Sequence, residues 1–113
     1  AANLARVLPA GLVADVDRSG WVVPQVFDVV RRLGDVPWED LEGTLNLGIG
    51  MIAVVAPEAA DDAVRLVRRA GVPAWVLGTV HETGDYAPRG RVVAGTKGVD
   101  GGSVDVFGGY RTR

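Results

Sequence analysis

Leu41-Glu-Gly-Thr-Leu-Asn-Leu-Gly-Ile-Gly-Met-Ile-Ala-Val-Val55 joins a polar, glycine-broken entry to the longest apolar run in the chain. From Asn46 onward it reads as a strand. Its tail, Met51 to Ala56, is continuously apolar, the pattern of a central strand covered on both faces. Gly48 and Gly50 stand two apart, so a strand would place both on one face and leave it bare there. Thr44 and Asn46 share that spacing and would lead into the bare positions. Two readings of the strip stand side by side. A ligand could lie along it, oriented by the polar groups, or another element could pack closely over the glycines.

Working outward, the clearest helix follows the strand. Pro57 opens it, Glu58, Asp61 and Asp62 load its front with negative charge, Arg65, Arg68 and Arg69 load its rear, and Gly71 ends it. Ala74 to His81 then reads as a strand, and Arg91 to Ala94 as its hairpin partner. Before the central stretch, Leu12 to Asp17 alternates as a half-buried strand. Pro24 opens a helix with an apolar stripe of Val26, Phe27, Val30 and Leu33, closed by Gly34 as the left-handed residue. Asp35 to Glu42 reads as a shorter helical turn, with Asp35 as its cap, and Ala2 to Leu8 as a short helix. Strands separated by helices predict an α/β (α+β) fold: a mixed sheet of about four strands packed with helices in a layered sandwich. Residues 1–95 form one domain on this reading. Residues 96–113 form a mobile glycine-rich tail in which Val104 to Phe107 adds at most an edge strand.

The chain's 113 residues suit one domain, and 48% apolar content suffices for a core. Charge is nearly balanced, 12 Lys+Arg against 14 Asp+Glu, which calls for neither nucleic acid nor an anionic membrane as partner. The absence of cysteine excludes disulfides and thiolate metal sites and fits a cytoplasmic protein. No apolar run reaches the roughly 20 residues of a membrane span, and the N-terminus lacks the pattern of a signal peptide. The start at Ala1 without methionine reads as a fragment, a processed chain or a trimmed one.

Several chemical motifs fail on context. Gly48-Ile49-Gly50-Met51-Ile52-Ala53 matches G-x-G-x-x-A, but a dinucleotide site needs a helix to start at once, and here Val54-Val55 continues the strand. Gly95-Thr96-Lys97-Gly98 has neither the spacing nor the hydroxyl residue of a phosphate-binding P-loop. His81 is the only histidine and reads as a strand-end surface residue, with no metal expected. Asp15 and Asp17 share a strand face; a carboxylate pair for acid–base work is one reading, a solvated face the preferred one. Trp21, Trp38 and Trp75 read as packing residues.

Three motifs, in order and spacing, resemble one known family. Asn3-Leu4-Ala5-Arg6-Val7-Leu8-Pro9, Trp21-Val22-Val23-Pro24 with Phe27, and Thr44-Leu45-Asn46-Leu47-Gly48-Ile49-Gly50-Met51 look like the C-terminal domain of aminoimidazole ribonucleotide synthetase, the phosphoribosylformylglycinamidine cyclo-ligase. The family pattern reads E-N-x-P-R-x-L-P, then S-W-x-x-P-x-x-F, then R-T-F-N-M-G-I-G-M. Val76-Leu77-Gly78-Thr79-Val80 resembles its later strand, so the likeness covers residues 2–80. Ala2, Ala5 and Gly43 depart from the pattern's Glu, Pro and Arg, and Leu45 and Leu47 are mild apolar exchanges.

The resemblance implies an ATP-dependent ring closure in purine biosynthesis. Phosphoryl transfer activates the formyl oxygen of formylglycinamidine ribonucleotide, and the amidine nitrogen then closes the imidazole. It implies that ATP and Mg2+ are held mainly by an N-terminal domain of the same protein, outside this chain, and that the present C-terminal domain is inactive alone. It assigns Asn3, Arg6, Thr44, Asn46, Gly48 and Gly50 to the ribonucleotide side of the cleft, with Arg6 suited to grip a phosphate. Expected partners are that N-terminal domain, the small-molecule substrate and further copies of the chain. Two rivals remain: a related ATP-dependent enzyme of selenophosphate synthetase or hydrogenase-maturation type, and a non-catalytic ligand-binding or dimerisation module. The paired W-x-x-P and T-x-N-x-G-x-G-M motifs favour the cyclo-ligase over the first; an ATP-binding domain upstream would tell against the second.

Overall fold

The computed structural model describes residues 1–96 and 101–113. Its sheet has four strands: β1 (Leu12–Asp17), β2 (Val80–Glu82), β3 (Arg91–Ala94) and β4 (Ser103–Phe107). The spatial order is β2-β1-β4-β3. β1 runs parallel to β4 with Asp15 opposite Asp105, and the outer pairings are antiparallel. The sheet is therefore mixed, as the sequence predicts, and four helices accompany it: α1 (Ala2–Val7), α2 (Gln25–Gly34), α3 (Trp38–Thr44) and α4 (Ala60–Arg69).

Period-2 alternation places Ala14 and Val16 of β1 and Val104 and Val106 of β4 on one face. Ala5 of α1 and Leu8 just after it cover them, with Leu4, Trp21, Leu77 and Val80 packed around. A second core joins Val23, Leu41 and Leu47, with Phe27, Val36, Trp38 and Tyr110 against it. It ties α2 and α3 to the far end of the chain.

The helix punctuation follows the sequence closely, with two exchanges. α4 starts from a 3-10 turn at Pro57–Ala59, and Gly71 takes a positive φ of 81° after its last turn. At the end of α2 the left-handed residue is Asp35 (φ 48°), not Gly34. Asp35 donates its N–H to Arg32 and Val36 donates to Arg31, so two otherwise orphaned carbonyls are satisfied one residue later than predicted. Pro37, rather than Asp35, precedes α3 as its cap residue.

Three strand expectations are corrected. Asn46 to Val55 belongs to no strand. Leu47 and Gly48 take φ of 51° and 100°, and Asn46 Oδ1 accepts the Gly48 N–H at 2.9 Å, so the chain turns where a strand would run straight. Beyond the turn the apolar run lies outside the sheet, with Met51 91% and Val54 59% exposed. Second, only the end of Ala74 to His81 reaches the sheet. β2 pairs with β1, while β3 pairs with β4, so the predicted hairpin does not form. Third, Val104 to Phe107 is no edge strand: it is the interior strand β4, with Val104 fully buried. The sheet therefore draws an inner strand from the glycine-rich segment; residues 97–100 of that segment lie outside the described residues. Displaced from the sheet, the middle of the chain also leaves the α2 stripe open, with Val26, Val30 and Leu33 exposed and Phe27 half-buried.

Candidate functional site: an amide-walled apolar cavity

A cavity of about 640 Å³ opens between α1, the β1–β4 seam and the turn after α3. That is within the roughly 300–1,000 Å³ typical of small-molecule sites. Val16, Val104 and Val106 form its floor, and Trp21, Phe27, Leu77 and Ile52 add apolar wall. Its polar side chains are few: Asn3, Thr44, Asn46 and Glu42.

Of the six residues predicted from sequence, three meet here. Asn3 comes from α1, Thr44 from the last turn of α3, and Asn46 from the turn that follows. Asn46 spends its oxygen on Gly48 N–H, which leaves its amide nitrogen as a donor. The Thr44 hydroxyl donates to Asp40 O at 2.9 Å, which leaves its oxygen lone pairs as acceptors. Asn3 makes no side-chain hydrogen bond among the described residues. Arg6, Gly48 and Gly50 do not line the cavity. Arg6 lies one helical turn beyond Asn3 and is exposed. A Cβ on Gly48 would stand 2.5 Å from Pro24 Cδ, so that glycine admits the proline ring; Gly50 faces open space.

Sequence reasoning missed the group that braces this wall. Glu42 accepts from Arg18 Nε at 2.6 Å and Nη2 at 3.0 Å, and from Tyr110 Oη at 2.8 Å. Tyr110 stacks on Trp38 with ring centroids 4.7 Å apart, and the Arg18 guanidinium lies over the Tyr110 ring. Burial pushes the Glu42 carboxyl up, but hydrogen bonds from Arg18 and Tyr110 outweigh it and hold the group below the usual carboxylate range. The Tyr110 phenol is pushed up to about 12, by burial first and by its bond to Glu42 next. No local pattern marks Glu42 for this role, because its partners lie 24 and 68 residues away.

The opposite sheet face carries a second polar cluster, and it too corrects an expectation. Asp15 is half-buried rather than solvated: it accepts from Thr79 N–H at 2.7 Å and Arg89 Nη2 at 3.1 Å, and lies 2.9 Å from His81 Nε2. His81 also stacks on Tyr86. Asp17 is not its catalytic twin, because it caps the next turn through Ser19. Asp105, fully buried, accepts from Tyr86 Oη, Arg89 N–H and Gly90 N–H at 2.6, 2.7 and 3.0 Å. These carboxylates are saturated with partners, which is the signature of a structural network.

The fold and cavity define an α/β domain with a small-molecule-sized site of amide and hydroxyl character. The chain belongs to the AIR synthase related protein, C-terminal domain family, whose model matches residues 1–91. A Streptomyces fradiae relative, provisionally named a phosphoribosylformylglycinamidine cyclo-ligase, is 48% identical over 92 residues, covering 81% of this chain and 50% of that protein. The phosphoribosylformylglycinamidine cyclo-ligase of Sorangium cellulosum is 44% identical over 93 residues, 82% of this chain and 27% of the enzyme. A bifunctional purine biosynthetic protein of Pichia angusta is 37% identical over 83 residues, 74% of this chain and 10% of that protein. The chain thus spans about half the length of the first relative and about a quarter of the second. Among the described residues, no helix is long and apolar enough to cross a membrane.

Proposed function

We propose that this chain is the substrate-side domain of a phosphoribosylformylglycinamidine cyclo-ligase, acting in purine biosynthesis. The observation that carries the reading is convergence. The first and third family motifs contribute Asn3, Thr44 and Asn46, and these distant residues share one cavity wall. Formylglycinamidine ribonucleotide presents a formyl oxygen and an amidine, an acceptor and a set of donors. The Asn46 amide nitrogen suits the former and the Thr44 oxygen the latter. The apolar floor would exclude water while the chain folds back on itself to close the ring. Arg6, exposed on α1 one helical turn beyond Asn3, suits the ribonucleotide phosphate.

The wall does not fit a metal–triphosphate group. It holds no Arg, Lys or His, and its carboxylate Glu42 is taken by Arg18 and Tyr110. Among the described residues no group of three His, Asp or Glu side chains could hold a metal ion. On this reading ATP and Mg2+ belong to an N-terminal domain of the same protein, and that domain seats against the apolar surface left open around Met51 and Val54. The protein would work in the cytoplasm as a homo-oligomer. The test is steady-state kinetics of Asn46→Ala and Arg6→Ala in a full-length enzyme carrying this domain. Each should raise KM for the ribonucleotide about tenfold, the loss of one hydrogen bond to substrate of about 1.4 kcal/mol. Unchanged KM and kcat in both would overturn the assignment.

A further inference from the structure

Thr44 and Asn46 come to the cavity from the last turn of α3 and the turn after it. α3 has seven residues and buries only Leu41 among them. A helix that short needs outside support to keep a fixed place. Tyr110 supplies it at two points. Its ring stacks on Trp38, the first residue of α3, with centroids 4.7 Å apart and an interplanar angle of 15°. Its hydroxyl donates to Glu42 Oε2 at 2.8 Å, one helical turn later and just before Thr44. Trp38 and Glu42 stand four apart, so both contacts lie on one face of the helix. Tyr110 is itself anchored. Arg111 O accepts the Val23 N–H at 2.8 Å, Arg111 Nη1 donates to Ser19 O at 3.1 Å, and Arg18 Nη1 donates to Gly108 O at 3.2 Å. From the same stretch, Trp21 Nε1 donates to Leu47 O at 3.1 Å, just past Asn46. Residues 18–23 and 108–111 thus close on α3 as one clamp.

Tyr110 does not line the cavity, and it lies beyond residues 1–91, the span that the family model matches. We propose that Tyr110 is a positioning residue of the candidate site: it fixes α3 against residues 18–23, and through α3 it sets where the Thr44 oxygen and the Asn46 amide stand. The stack on Trp38 holds the start of the helix by apolar burial and ring geometry. The hydroxyl completes the shell of Glu42, whose Oε2 accepts from Arg18 Nε and Tyr110 Oη while Oε1 accepts from Arg18 Nη2. Without that hydroxyl, a nearly buried carboxylate is left with an open lone pair beside the cavity it lines. The identity of the ligand rests on the cyclo-ligase reading; the placement of the wall by Tyr110 does not.

Residue-resolved amide hydrogen exchange tests the placement without a ligand. Leu45 N–H is bonded to Leu41 O and Gly48 N–H to Asn46 Oδ1, so these two amides report on the wall. In Tyr110→Leu, which loses both contacts, they should exchange about tenfold faster while β1 keeps its protection. Unchanged exchange at both, or an equal loss in β1, would overturn the proposal. Tyr110→Phe keeps the stack and loses only the hydroxyl; it should give the same pattern at smaller size, and it decides the matter should Tyr110→Leu fail to fold. Kinetics of a full-length enzyme carrying this domain then test the function. KM for the ribonucleotide should rise about threefold in Tyr110→Phe and about tenfold in Tyr110→Leu, with kcat and KM for ATP unchanged. A merely structural role would lower kcat through loss of folded enzyme and leave both KM values alone, and that result would overturn the proposal. Asn46→Ala separates the two possible failures. If it raises the ribonucleotide KM and the Tyr110 variants do not, the positioning role falls and the cyclo-ligase reading stands. If it leaves KM unchanged, the cyclo-ligase reading falls and amide exchange alone decides the role of Tyr110.

Discussion

Replacing Glu42 by Gln breaks the brace on the cavity wall at its centre. The Arg18 and Glu42 side chains are 11% and 10% exposed, so the pair is nearly removed from water. Removing one partner of such a pair costs about 3–5 kcal/mol, because the remaining charge stays buried without its counterion. Arg18 keeps a bond to Gly108 O at 3.2 Å and a Gln oxygen can accept once, which puts the cost near the lower end, about 3 kcal/mol. That is a large share of the roughly 5–15 kcal/mol of a typical domain. With a urea m-value of about 1.5 kcal/mol/M, the unfolding midpoint should fall by about 2 M. Tryptophan fluorescence is a direct probe, since Trp38 stacks on Tyr110 beside the pair. The double variant Arg18→Met with Glu42→Gln removes both charges and should recover most of the loss. A single-variant cost under about 1 kcal/mol, or a double variant no better than the single, would refute the buried-pair reasoning.

Other consequences are as direct. Both tyrosines should titrate above the usual 10 by ultraviolet absorbance, Tyr110 near 12 and Tyr86 in the same direction. Because the folded Tyr110 holds its proton to higher pH than the unfolded chain, stability should fall as pH rises from 10 to 12; normal titration of both phenols would contradict the contacts with Glu42 and Asp105. Gly48→Ala places a Cβ against the Pro24 ring at a φ of 100°, and should cost about 2–3 kcal/mol, or roughly 10 °C in melting temperature. A change of less than about 3 °C would mean that Pro24 does not seat there. Asp35→Gly relieves a left-handed aspartate and should raise the melting temperature by about 4 °C; a decrease would show that Asp35 has a role beyond the helix end.

Local physics carried much of the fold into the sequence. Alternation located β1 at Leu12–Asp17, and proline, charge placement and glycine located α4. What the sequence hid was which segment fills the interior of the sheet. Residues 51–55 and 103–107 both suit an interior strand, and no local rule ranks two candidates for one slot. The turn at Leu47-Gly48 was equally hidden, since a bare glycine pair fits a strand face as well as a close approach to Pro24. The site divides in the same way. Family motifs pointed to Asn3, Thr44 and Asn46, which share the cavity, and also to Arg6, Gly48 and Gly50, which do not line it. Glu42, Arg18 and Tyr110 gave no signal, and neither did the joining of Asp15 to His81 and Arg89 across 66 and 74 residues. Contacts at that separation follow from sheet order, which only the folded chain reveals.

Asn3, Thr44 and Asn46 are the proposed ribonucleotide-binding wall. Titrating this chain with formylglycinamidine ribonucleotide while following its amide resonances tests it most directly. Saturable shifts are expected at Asn3, Thr44, Asn46 and the cavity floor, with a dissociation constant of about 1 mM for one half of a site. Shifts confined to other surfaces, or none at about 10 mM ligand, would contradict it.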